Sequence, residues 1–162
     1  MKELLSKLSS YNLFNYLFPG VIFSLLTPVI TSYSFIQKDF VLGLFVYYFV
    51  GLVVSRFGSL LLEPLFKSVS LVKFSEYKDF VTASKKDEKI ELLSEVNNSY
   101  RTMVSVFVLL ILLKLYEKAE AMIPVIKEWE HIILVGILLV LFLASYIKQT
   151  RYVAKRIMAN KD

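Results

Sequence analysis

The chain has 162 residues, of which 56% are hydrophobic and 20% charged, with a mean hydropathy of +0.59 and a net charge of +5. Soluble domains average about 45–50% apolar and about 25% charged residues, so this composition is typical of a membrane protein. No cysteine is present, which excludes disulfides, thiol catalysis and cysteine metal sites.

The first part of the chain predicts a surface helix followed by a membrane span. Residues 1–10 have leucines on one face and no signal cleavage site after them, which indicates a helix at the membrane surface. Span one is predicted over residues 11–33 and carries no charge from Leu13 to Ile30. Pro19 and Gly20 inside it predict a kink or a fresh helix start.

Span two is predicted over residues 40–63, after a short polar connection. Its small residues recur at four-residue spacing, which places them on one helix face where another backbone can approach closely. We therefore predict a helix-packing face that also favours homo-oligomers. The span is predicted to end near Glu63 and Pro64, where proline stops or kinks the helix. The residues of the face are Gly51, Ser55, Gly58 and Ser59.

Two charges lie in the second half of span two. Arg56 and Glu63 are seven residues apart, so an α-helix places them on the same face. Charges inside a membrane are costly and often mark pores or proton paths. The alternative is a structural pairing near the interface, with Arg101 as a partner for Glu63.

Residues 67–101 form the main polar region, with seven Lys or Arg and six Asp or Glu residues. The near balance of charge argues against direct nucleic-acid binding. From Asp87 onward an apolar stripe predicts a helix that runs without a break into span three, residues 102–121. The region is either a solvated helical hairpin or a docking surface for a cytoplasmic protein. Its docking candidates are Tyr77, Asp79, Glu91, Glu95, Asn97 and Asn98.

The last part of the chain predicts a connection over residues 117–130, span four over 131–148, and a basic tail. Charges near residues 114–120 are either a sensor or a solvated rim, and His131 is an interfacial anchor or a pH switch. The tail satisfies the positive-inside rule, and it can also bind lipid head groups. Its candidate lipid-binding residues are Lys148, Arg151, Lys155 and Arg156.

The distribution of basic residues predicts the orientation. Residues 1–10, 67–101 and the tail hold 2, 7 and 5 Lys or Arg, whereas the connections 34–39 and 117–130 hold 1 and 2. Basic segments stay in the cytoplasm. We therefore predict one all-α membrane domain of four transmembrane helices, with both termini cytoplasmic and a helical cytoplasmic extension between spans two and three.

No catalytic or cofactor-binding signature is present, since glycine-rich phosphate loops, nucleophile elbows and metal-ligand spacings are all missing. The first functional hypothesis is a non-enzymatic anchor or sensor that binds membrane lipid, self-associates and engages a cytoplasmic partner. The second is a self-assembling channel or membrane-disrupting effector. An enzyme acting on lipids or small molecules is the third and has no catalytic residues to support it.

Three segments resemble those of a group of small bacterial four-span membrane proteins: SYNLFNYLFPGVIF, YYFVGLVVSRFGSLLLEP and YKDFVTASKKDEKIELLSEVNNSYRT. Some proteins of similar size and architecture belong to anti-phage defence systems, among them the membrane component of Kiwa. The resemblance implies an inner-membrane homo-oligomer that senses infection and engages a cytoplasmic partner. It transfers no functional residue to this chain.

Overall fold

The computed structural model describes residues 12–160, and within that range every regular element is helical. The predicted surface helix over residues 1–10 lies outside the described residues. In chain order the elements are a π-helical turn π1 (Leu13–Leu17), α1 (Phe18–Ile30), α2 (Phe40–Phe57), a second π-helical turn π2 (Gly58–Leu62), α3 (Glu63–Ser68), α4 (Tyr77–Ser84), α5 (Lys89–Met122) and α6 (Pro124–Ala159).

The long helices α1, α2, α5 and α6 pack side by side with alternating directions. At one end of the bundle, called here the Glu63 end, Glu63 contacts Arg101 at the start of the apolar part of α5 and Lys148 in α6. At the opposite end, called the Tyr33 end, the loop after α1 contacts Glu117 and Glu120 of α5. The four helices therefore run up, down, up and down between these two ends.

Small polar side chains share the interior of this bundle with an apolar cluster of Phe23, Val54, Val106 and Leu110, and many other large apolar side chains face outward. Of the eight largest fully buried side chains, five are polar: Asn15, Ser24, Thr27, Thr102 and Ser105. By contrast, Phe45 and Leu139 are 68% and 67% exposed. Water-soluble proteins bury such residues. Helices in lipid gain nothing from burying them and associate through small and polar residues instead, so this arrangement is typical of helices that pack in a membrane.

Both prolines at the Glu63 end follow a π-helical turn, and neither ends its helix. Proline clashes with the carbonyl four residues earlier, which belongs to Asn15 for Pro19 and to Leu60 for Pro64. Each of these carbonyls lies at the centre of a π-helical turn, where the wider backbone makes room for the ring. Of the two effects predicted for Pro64, a stop or a kink, the stop does not occur, because the helix continues to Ser68.

Three helical stretches are long and apolar enough to cross a membrane: Leu13–Ile30, Phe40–Ser68 and Pro124–Ala159. This confirms an all-helical protein with membrane-spanning character for the described residues. The predicted third span lies within α5 and is not among the three. Its uncharged run between Arg101 and Lys114 has 12 residues, or about 18 Å of helix, which is short for a bilayer core of about 30 Å.

Both longer connections between the predicted spans are mostly helical. The predicted connection over residues 117–130 is largely helical, because α5 continues to Met122 and α6 begins at Pro124, so Ile123 alone separates the helices. Proline favours the first helical position, because its missing N–H would have no partner there. The segment 67–101 is helical except for residues 69–76 and 85–88.

Candidate functional site

The most concentrated group of charges lies at the Glu63 end, where three basic side chains surround one carboxylate. Glu63 Oε2 is 2.6 Å from Arg101 Nη1, and Glu63 Oε1 is 2.9 Å from Lys67 Nζ and 3.8 Å from Lys148 Nζ. The Glu63 side chain is 14% exposed. These contacts join α3, α5 and α6 through one acidic group. They agree with the interpretation of Glu63 as a structural ion-pair partner of Arg101.

Lys148 also completes the backbone of π2. In this turn the Glu63 N–H donates to the carbonyl of Gly58, five residues back, which leaves the Ser59 carbonyl without its usual helical donor. Lys148 Nζ donates to that carbonyl at 2.6 Å and to the Ser59 hydroxyl at 2.7 Å. Sequence reasoning missed this role, because it depends on a π-helical turn 89 residues away.

Arg56 is directed to another partner. Its Nη2 donates to the hydroxyl of Tyr16 at 3.2 Å. The seven-residue repeat that predicts a shared face for Arg56 and Glu63 holds for a continuous α-helix, and π2 lies between the two residues. Arg56 still interacts electrostatically with Lys148, as do Arg101 and Lys67. Among the described residues, Arg56, Lys67, Arg101 and Lys148 are therefore grouped with the Glu63 carboxylate.

The small-residue face of span two packs inside the chain. A Cβ atom on Gly51 would lie 1.7 Å from the Tyr16 carbonyl oxygen, and one on Gly58 would lie 2.2 Å from Ser105 Oγ. Ser55 accepts a hydrogen bond from Thr102 at 3.4 Å. Because its own helices occupy this face, it offers no surface to a second copy, and the homo-oligomer predicted from it loses that basis.

A second close approach involves Gly20, which sequence reasoning interpreted only as part of a kink. A Cβ at Gly20 would lie 1.8 Å from the carbonyl oxygen of Tyr47. Gly20 and Gly51 thus let π1, α1 and α2 meet backbone to backbone. The sequence did contain a signal for this contact, because Gly20 in span one is a small residue that can pack against Gly51 in span two.

At the Tyr33 end, Glu117 and Glu120 of α5 hydrogen-bond to the loop that follows α1. The backbone N–H of Ser32 donates to Glu117 Oε1 at 2.6 Å, and Lys114 Nζ lies 2.6 Å from Glu117 Oε2. The Tyr33 hydroxyl donates to Glu120. Burial and then the Glu120 carboxylate raise the pKa of Tyr33, so its hydroxyl keeps its proton. These contacts attach the loop to α5.

The docking candidates of segment 67–101 occupy different environments. Tyr77 packs edge-on against Tyr152 of α6, with ring centroids 5.0 Å apart, and this contact joins α4 to the basic tail. Asp79, Glu91 and Asn97 are exposed. Glu95 and Asn98 are half-buried, and each accepts a hydrogen bond through its backbone carbonyl from a hydroxyl one helical turn later.

Apolar side chains on the same part of α5 are also exposed. Leu92, Leu93, Val96 and Tyr100 are 60%, 65%, 41% and 69% exposed. Leu93, Val96 and Tyr100 belong to the stripe that predicted this helix, and Leu92 lies beside them. The bundle buries none of these four residues, which together are called the α5 patch.

The remaining candidates all lie on α6. Arg151, Lys155 and Arg156 are exposed along the last turns of α6, whereas Lys148 turns inward to Ser59 and Glu63. The His131 side chain is 90% exposed, with Nε2 3.6 Å from Glu130. Within residues 12–160 no group of three or more His, Asp or Glu side chains is placed to hold a metal ion.

Comparison with known proteins adds no relative: no family model, no curated protein and no solved structure matches this chain.

Proposed function

We propose that this chain is a non-enzymatic bacterial inner-membrane anchor, which crosses the membrane four times and presents a cytoplasmic helical platform to a soluble protein partner. The platform comprises α4, the first turns of α5 up to Arg101, and the last turns of α6. Both termini are cytoplasmic in this proposal. A sensor role in anti-phage defence follows from the resemblance to four-span membrane proteins alone.

The α5 patch carries the proposal. Its four large apolar side chains lie before Arg101, on a polar part of α5 that is rich in charged residues and outside the apolar run. Exposed apolar groups on a membrane-facing helix are solvated by lipid, but those on a polar extension meet water. Contiguous apolar groups in water mark binding surfaces for other proteins.

A fourth crossing by α5 is supported by the contacts at its two ends. Arg101 meets Glu63 at one end of the bundle, and Glu117 meets Ser32 at the other. These residues are 16 apart in one continuous helix, which corresponds to about 24 Å. Lys114 and Glu117 pair at 2.6 Å, and this pairing reduces the cost of placing charges near the membrane.

The platform is tested by reversing one exposed charge beside the α5 patch and one at the opposite end. Tagged wild type, Glu91→Lys and Glu128→Lys are purified from the native host in mild detergent, and co-purifying proteins are quantified by mass spectrometry. We expect a stoichiometric soluble partner with wild type and Glu128→Lys, and about tenfold less with Glu91→Lys. Equal recovery in all three, or no partner with wild type, contradicts the proposal.

A channel or membrane-disrupting effector is the second candidate, and the polar interior of the bundle favours it. Asn15 and Ser24 are fully buried, and their side-chain polar atoms have no hydrogen-bond partner among the described residues. Unpaired polar groups inside a membrane bundle can line a path for ions or protons. Expression would then lower the membrane potential, and Arg56→Leu would change the effect. A potential that is unchanged at every expression level contradicts this candidate.

A further inference from the structure

The charge cluster at the Glu63 end is unbalanced. Counted over residues 12–160, it contains Arg56, Lys67, Arg101 and Lys148 against the carboxylate of Glu63, so its formal charge is +3. The Arg101 side chain is 17% exposed, and its buried Nε has no hydrogen-bond partner within residues 12–160. An excess of positive charge in a partly desolvated site is costly unless an anion compensates it.

The composition and position of the cluster indicate which anion fits. The basic groups come from four different elements, namely α2, α3, α5 and α6, so they converge on one place only in the folded bundle. Arginine guanidinium groups bind phosphate oxygens in a bidentate manner. Lys67 and Lys148 are 44% and 45% exposed, which leaves the cluster open on its outer side.

We propose that this cluster binds the phosphate of an anionic phospholipid at the Glu63 end, with Arg56 and Arg101 contacting the phosphate oxygens and Lys67 and Lys148 supplying charge. Basic pockets between membrane helices bind anionic head groups in this way. The proposal goes beyond the anchor function, since it requires a membrane bundle and no protein partner. Glu63 acts as an internal competitor for the same basic groups.

The exposed basic residues of the α6 tail are the matched alternative. Arg151, Lys155 and Arg156 carry the same charges but lie along one exposed helix, where they attract an anionic surface without enclosing a single head group. Binding at the cluster is therefore saturable and specific to particular residues, whereas binding at the tail depends on net charge alone. Replacing one arginine of the cluster or one arginine of the tail removes the same charge, so the two variants distinguish these two binding modes.

The test is native mass spectrometry of the full chain released from nanodiscs that contain phosphatidylglycerol or phosphatidylcholine. We expect one retained phosphatidylglycerol with wild type and Arg151→Gln, and about tenfold weaker retention with Arg56→Gln and Arg101→Gln, since a charge-assisted hydrogen bond is lost. Phosphatidylcholine should not be retained. Inorganic phosphate added alone shows whether free phosphate suffices, and displacement of lipid by millimolar phosphate overturns the lipid assignment.

The Glu63→Gln variant distinguishes lipid binding at the cluster from a purely structural role of its ion pairs. Removing the competing carboxylate raises the formal charge of the cluster to +4, so retention of phosphatidylglycerol should increase several-fold even where the variant unfolds at a lower temperature. Unchanged or weaker retention in Glu63→Gln overturns the proposal. So does equal loss in Arg101→Gln and Arg151→Gln. Arg56→Gln keeps the test valid if Arg101→Gln does not fold, because Arg56 lies outside the Glu63 contacts.

Discussion

At the scale of single residues, close backbone contacts and polar contacts hold this bundle together. Gly20 and Gly51 allow helix backbones to touch. The hydroxyls of Thr27 and Ser105 donate hydrogen bonds to backbone carbonyls of their own helices. Lys148 donates a hydrogen bond to a backbone carbonyl of a neighbouring helix. Each of these contacts leaves little room for a different side chain. Stability should therefore depend more on glycines and on one lysine than on the many exposed leucines.

Replacing Gly51 by leucine should destabilise the bundle, whereas the same change at Gly136 should not. A Cβ at Gly51 meets the Tyr16 carbonyl oxygen at 1.7 Å, and a Cβ at Gly136 meets nothing within 4 Å. Overpacking of this kind costs about 1–3 kcal/mol or more, because backbone must move. Thermal unfolding in mild detergent, followed through Trp129 fluorescence, measures the difference. Equal melting of the two variants would contradict the backbone contact.

Replacing Lys148 by methionine should lower stability by about 1–3 kcal/mol, because the Ser59 carbonyl loses its donor and Glu63 loses a cation. Lys155→Met is the matched control, since Lys155 is exposed on the same helix. The measurement is the urea dependence of unfolding in detergent micelles. If both variants unfold at the same urea concentration as wild type, Lys148 does not support π2.

At the scale of elements, the two π-helical turns determine how the helices face one another. Each precedes a proline and shifts the helical repeat by about one residue, so the faces before and after it follow different registers. A sequence scan that assumes 3.6 residues per turn therefore misplaces Arg56 relative to Glu63. The same turns explain why proline at positions 19 and 64 leaves the helices continuous.

The docking of α4 onto the tail of α6 can be tested at this scale. Tyr152→Ala removes the edge-on ring contact with Tyr77, which is worth about 0.5–1.5 kcal/mol beyond the area it buries. We expect faster trypsin cleavage after Lys85 and Lys86, because α4 separates from the bundle more often. Tyr146→Ala is the control, since Tyr146 is 71% exposed. Equal cleavage rates in the two variants would show that the ring contact does not hold α4.

At the scale of the whole molecule, the alternating helices bring the start of the first helix, the 67–101 segment and the tail to one end. Charge counting predicted that residues 1–10, the 67–101 segment and the tail lie together in the cytoplasm, because they hold most of the Lys and Arg residues. Residues 1–10 lie outside the described residues, and the cytoplasmic side stays a prediction. The helical class and the small-residue face of α2 were also predictable, since both depend on local spacing. The contact between Lys148 and Ser59 and the buried amide of Asn15 were not, because they depend on packing between distant segments.

Single cysteines in a chain that has none allow the number of crossings to be measured without background labelling. With four crossings, Ser34→Cys and Met122→Cys should react with a membrane-impermeant maleimide in spheroplasts, and Ser75→Cys and Asn160→Cys should react only after permeabilisation. If α5 does not cross, Met122→Cys is protected and Asn160→Cys is labelled. Because the two patterns are opposite at these two positions, one experiment decides between them.

The bond from Lys148 to the Ser59 carbonyl also sets a constraint on biosynthesis. Ser59 leaves the ribosome 89 residues before Lys148, so at about 5–20 residues per second the carbonyl waits on the order of ten seconds for its donor. During that interval the nascent chain holds an unpaired carbonyl and an incompletely neutralised Glu63 near the lipid. A chain truncated before residue 148 keeps both defects permanently, and membrane quality-control proteases should degrade it faster than the complete protein.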